Sequence, residues 1–187
     1  EKAFTIEGLS KSPSIFDIKK LTWLNGEYIK NMKPDDFYIL AENRLKKAIK
    51  NTSLDLKKIA LLLQKRLETL NDIPTLVDFF DKLPEYSTEL YIHKKMKTTK
   101  EIALSSLKAA LPVLENLSVW TETAIHDALM ELVQTLEIKN GQLLWPVRTA
   151  LSGEPTSPGG AMELAAILGK EESLKRIQIG IEKLENI

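Results

Sequence analysis

An all-α fold is the prediction, and three features of the sequence make it. Apolar residues recur at intervals of three and four through almost the whole chain, the spacing of a single helix face. No run alternates apolar and polar residues as a half-buried strand would. Proline, glycine and short polar clusters fall between the periodic stretches, where helices start and stop. At 187 residues, 43% of them apolar, the chain can build one large or two small domains around a buried core.

The first helix is expected over residues 12–31, with two competing starts: Ser12 before Pro13, or Ser14 with Asp17 three residues later. Ile18, Leu21, Leu24 and Tyr28 fit one of its faces. A second helix, about 35–50, follows Pro34 and aligns Ala41, Leu45, Ala48 and Ile49. Asn51-Thr52-Ser53 interrupts it, and Ser53 is placed to cap a third helix running to about Leu70. Ile59, Leu62, Leu63, Leu67 and Leu70 form the apolar stripe of that helix, but Arg66 interrupts it. An arginine beside a core face needs a partner for its charge. It is either a snorkelling or ion-paired side chain, or a guanidinium held by packing so that it can read a ligand.

Residues 71–92 hold Pro74, Pro84 and short mixed apolar runs, and Leu83-Pro84-Glu85 is the expected boundary between subdomains 1–84 and 85–187. Helices resume at about 98–116. Thr121 caps the next, which buries Ala124, Ile125, Ala128, Leu129, Leu132, Val133 and Leu136. Asn140-Gly141 reads as a turn, residues 142–152 as a helix stopped by Gly153, and 153–160 as a Pro/Gly/Ser loop. A helix ending at Gly169 and a last one over roughly 170–185 complete the chain.

Composition excludes several classes. No window of about 18 apolar residues exists, so nothing spans a membrane as a helix. The start lacks a signal-peptide pattern and an initiator Met, which points to part of a longer protein. Zero cysteines exclude disulfides and thiolate metal sites, and fit a cytoplasmic origin. Net charge is zero, yet it is segregated: Ala41 to Arg66 carries +6, Leu67 to Leu90 −5, and Lys94, Lys95, Lys97 and Lys100 cluster next.

No catalytic constellation emerges. His93 and His126 stand alone, His126 off its helix stripe and expected exposed, so a zinc site has no support. Gly-x-Ser-x-Gly is absent, and Gly169-Lys170-Glu171 lacks the P-loop spacing and its Ser/Thr. Ser10-Lys11-Ser12 and Lys95-Met96-Lys97-Thr98-Thr99 partly match the Lys-Met-Ser-Lys-Ser loop that steadies ATP phosphates in class I aminoacyl-tRNA synthetases. Neither has the nucleotide-binding α/β surroundings that such a loop needs, so both are decoys. Trp23, Trp120 and Trp145 are possible stacking platforms for bases, but Trp23 and Trp120 read instead as core residues.

Five ordered segments carry a resemblance: "SKSPSIFDIKKLTWLNGEYIK" (10–30), "LLQKRLETLNDIP" (62–74), "WTETAIHDAL" (120–129), "LLWPVRTALSG" (143–153) and "PGGAMELAAILGKEESLKRI" (158–177). Together they resemble the C-terminal anticodon-binding part of bacterial-type glutamyl-tRNA synthetases over nearly the whole chain. The resemblance implies two packed helical subdomains that grip the anticodon stem and loop of glutamate tRNA, acting as a monomer in the cytoplasm. It implies no catalytic residues and no cofactor here, with ATP and magnesium serving the full-length enzyme, which ligates glutamate to tRNA. It further implies that Arg66 reads the third anticodon base, where glutamate and glutamine tRNAs differ. By the same resemblance, Arg148 contacts the first two bases together with the loop that follows it. Gly159-Gly160-Ala161 departs from a bulkier turn in relatives, which leaves open which of Ser157, Pro158, Gly160 and Ala161 touch bases. Lys46, Lys47, Lys50, Lys95 and Lys97 become candidates for phosphate contacts. A helical protein-interaction module is the rival reading, supported by the neutral net charge.

Overall fold

The structure, a computed structural model, describes residues 17–186. Among them it has nine α-helices and no strand: α1 (Ile18–Asn31), α2 (Pro34–Ala48), α3 (Leu56–Gln64), α4 (Ile73–Asp81), α5 (Lys100–Glu115), α6 (Glu122–Thr135), α7 (Asn140–Ser152), α8 (Ala161–Leu168) and α9 (Lys170–Glu185). The all-α expectation is met. Helices α2 to α4 pack on one another, and α5 to α9 form a second group around α5, α7 and α9.

Helix starts follow side-chain capping. The Asp17 carboxylate accepts from the backbone N–H of Lys19 (3.0 Å) and Lys20 (3.2 Å), so α1 begins there; the starts expected at Ser12 and Ser14 lie outside the described residues. Asp55, not Ser53, caps α3, accepting from Lys57 N and Lys58 N. Ser53 lies two residues before the cap position, and its hydroxyl donates to Asn51 Oδ1 at 2.7 Å instead. Thr121 caps α6 as expected, its hydroxyl accepting from Ala124 N.

Three expectations change. Helix α3 stops at Gln64, so Arg66 stands just beyond it while Leu67 turns inward and is buried. Residues 73–81, read as irregular, form α4: Pro74 sits in the first turn, where a missing N–H leaves no bond unmade. Asn140-Gly141 is the first turn of α7 rather than a separate turn before it.

α1 also turns its face differently from the pattern. Ile18, Leu21, Leu24 and Tyr28 are exposed, and so is Trp23, at 57%. The helix is seated instead by Gly26 and Ile29, with Gln64 Nε2 donating to Ile29 O (3.0 Å) and Met32 O (2.8 Å). At Gly26 the helix meets the chain after α3 at van der Waals distance, since a Cβ there would lie 3.4 Å from the Glu68 backbone. Trp120 does pack against the core, half-buried, its indole N–H donating to Ala165 O at 2.9 Å.

A buried arginine ties the two helix groups together. Arg176, 1% exposed, donates to Phe79 O (2.8 Å) near the end of α4 and to Leu151 O (2.7 Å) near the end of α7, and its Nε meets Glu172 at 2.7 Å. Carbonyls at helix C-termini lack partners within their own helix and carry the negative end of the dipole, so they suit a guanidinium.

Candidate nucleic-acid interface

Where α3 meets the loop between α7 and α8, the surface folds into a cavity of about 800 Å³. Arg66 reaches it from the turn after α3, and Arg148 from α7. The loop itself begins at Gly153, whose φ of +65° ends α7 in the left-handed conformation that glycine adopts without strain.

Both guanidiniums converge on Ser157. Arg66 Nη1 donates to the Ser157 carbonyl at 2.8 Å. Arg148 Nη1 donates to the Ser157 hydroxyl at 3.1 Å, and its Nη2 donates to Glu154 O (3.0 Å), Pro155 O (3.4 Å) and Thr149 Oγ1 (3.3 Å). The Ser157 hydroxyl donates in turn to Gly159 O at 2.7 Å. Arg148 Nε is buried without an acceptor.

Arg148 is 8% exposed and its guanidinium lies 4.2 Å from the centre of the Trp145 ring, a cation–π contact. Burial pushes its pKa down to about 10, with the charge of Arg66 acting in the same direction and Glu154 opposing. It is therefore still a cation at neutral pH. Among the described residues neither Arg66 nor Arg148 has a carboxylate ion-pair partner. Burial raises the Glu154 carboxyl, and Asp78 repulsion adds to that, against the pull of Arg148. Two neighbouring cations held by neutral acceptors bring positive charge into a concave, largely apolar site, whose rim also carries Glu89.

Trp145, His93, Met96, Leu144 and Met162 supply the walls. The Trp145 indole N–H donates to Leu90 O at 2.9 Å, and the His93 ring sits 4.1 Å from it. His93 Nδ1 accepts from Met96 N at 3.2 Å, which pins the tight loop 93–98. Lys95 and Lys97 flank Met96 on that loop, both exposed, with Lys97 at φ 56°.

Of the residues singled out from sequence, Arg66, Arg148, Ser157, Gly160 and Ala161 all line the cavity. Pro158 is buried and does not line it. Lys46, Lys47 and Lys50 are exposed on or just after α2, outside the lining, and Lys46 is paired with Glu42 at 2.9 Å. Trp145 had a signal, since it lies three residues before Arg148 on the same helix face. His93 and Met96 had none, because a loop without periodicity does not say what it faces. Among the described residues no three His, Asp or Glu side chains gather as a metal site. No helix among them is long and apolar enough to cross a membrane.

The family described as anticodon binding domain matches residues 36–181. A glutamate–tRNA ligase of Clostridium tetani is 55% identical over 98% of this chain and 37% of its own length. One of Clostridium acetobutylicum is 50% identical over 98% of this chain and 38% of its own. The chain thus spans little more than a third of the curated relatives it matches. In fold it is similar to a crystal structure of a glutamate tRNA ligase from Elizabethkingia meningosepticum in complex with its amino acid. The TM-score is 0.77 at 22% identity, over 97% of this chain and 35% of that one.

Proposed function

Because the chain belongs to the anticodon-binding domain family, we propose that it reads the anticodon loop of glutamate tRNA as part of a ligase that joins glutamate to that tRNA. The observation that carries this reading is the cavity itself. Two guanidiniums from distant parts of the sequence, neither ion-paired to a carboxylate among the described residues, meet one loop against largely apolar walls.

Unstacked RNA bases suit such a site, since splayed loop bases expose acceptor edges and flat apolar faces together. Arg66 has a fork of five donors and uses one on Ser157, which leaves an edge for the third anticodon base. Arg148 is mostly committed to the loop, so it acts on the first two bases largely by shaping residues 154–161. Lys95 and Lys97, beside the cavity, are the better placed of the lysines for backbone phosphates. ATP and magnesium would serve the ligase outside this chain, which would work in the cytoplasm as a monomer.

The test is binding of the chain to RNA hairpins carrying a glutamate anticodon or an unrelated one, across a salt series. Affinity should fall as salt rises, as phosphate contacts require. The glutamate hairpin should bind at least about tenfold more tightly. Equal affinity for both hairpins would overturn the reading.

A further inference from the structure

Ser157 offers its carbonyl to one guanidinium and its hydroxyl to the other. From this we infer that Ser157 is a positioning residue that couples recognition of the third anticodon base, at Arg66, to recognition of the first two, at Arg148 and its loop. The inference rests on the anticodon-reading function proposed above and deepens it.

The geometry leaves little room for the two halves of the site to act separately. Ser157 is 5% exposed and its hydroxyl is doubly used, accepting from Arg148 Nη1 and donating to Gly159 O. The loop is also seated on α3 directly, because a Cβ at Gly159 would stand 3.0 Å from Leu62 Cδ1. Arg66 follows α3 by two residues, so a shift of residues 157–159 displaces the acceptor that holds its guanidinium. Conversely, a base that rotates Arg66 pulls on the Ser157 backbone, and through the hydroxyl on Arg148. Arg148 in turn holds Glu154 and Pro155. Filling one part of the cavity therefore orders the other. Coupling of this kind must be reciprocal.

The experiment compares Ser157→Ala and Ser157→Thr in the full chain, using RNA hairpins that differ singly at each anticodon position. Circular dichroism and thermal midpoints confirm the fold of each variant. Ser157→Ala keeps the carbonyl that Arg66 uses, yet it should lower third-base discrimination about fivefold, the worth of one lost hydrogen bond. Ser157→Thr, which keeps a hydroxyl, should restore it. Arg66→Gln supplies the reciprocal measurement and does not depend on the loop variant folding: it should also weaken discrimination at the first two positions. If Ser157→Ala leaves the third position unchanged, or Arg66→Gln alters that position alone, the coupling is wrong and anticodon reading stands. If the unaltered chain distinguishes no hairpin, both fall together.

Discussion

Arg66 is conspicuous at the scale of single residues, because it is a charge interrupting an apolar stripe. Helix α3 ends at Gln64, so the side chain leaves the stripe and reaches the cavity without entering the core. It is exposed, and replacing it should not unfold the protein. Arg66→Gln is expected to lose about 1–3 kcal/mol of discrimination at the third anticodon base, as bidentate base contacts do. Competition between hairpins that differ only there measures the loss, while the melting temperature stays near that of the unaltered chain. Arg148 is the opposite case. Its sequence context did not announce a buried charge, yet burial and neutral acceptors define it. Arg176 is a third arginine with a third fate, 1% exposed and bound to the ends of two helices. Residue type alone did not separate these three; what their donors face did.

Elements were legible where capping and periodicity agree, as at Thr121 for α6 and Gly153 for the end of α7. They were misread where one residue can play two parts. Pro74 and Asn140-Gly141 look like breaks and are first turns, a position in which proline and glycine are tolerated. Helix α1 was misread more deeply, for its apolar stripe faces outward while a glycine and two hydrogen bonds from Gln64 seat it. Close helix approach does depend on a glycine at Gly180 on α9. A Cβ there would lie 2.5 Å from Tyr91 Oη, 3.1 Å from Ala150 Cβ and 3.2 Å from Leu107 Cδ1. Alanine would gain up to about 1 kcal/mol in helix propensity. The clash involves a fully buried ring and should outweigh that gain. Gly180→Ala is therefore expected to destabilise the fold by about 1–2 kcal/mol net, read as a lower urea midpoint with an unchanged slope.

For the whole molecule, pH reports on the tyrosines of the segment between α4 and α5. Tyr86 and Tyr91 share a 2.9 Å hydrogen bond between hydroxyls, and burial pushes both phenols above their ordinary range. The folded state thus keeps these protons after the unfolded chain has begun to lose them. Stability should be fully present below about pH 10 and decline above it, by up to about 1.4 kcal/mol per pH unit for each tyrosine. Urea titrations at increasing pH should show this decline, and Tyr91→Phe should flatten it; equal slopes would refute the assignment. Helical class, most helix boundaries, the charge segregation and the family resemblance were all determined by the sequence, since they depend on local spacing or on segments compared in order. The cavity was not. Its walls come from Arg66, the loop 93–98, α7 and residues 155–162, and only tertiary packing brings such distant stretches together. Which face of α1 is buried, and which arginine holds a loop, a core or a free edge, was likewise decided by packing. A charge is satisfied by whatever acceptors the folded chain places around it, and no periodicity records that.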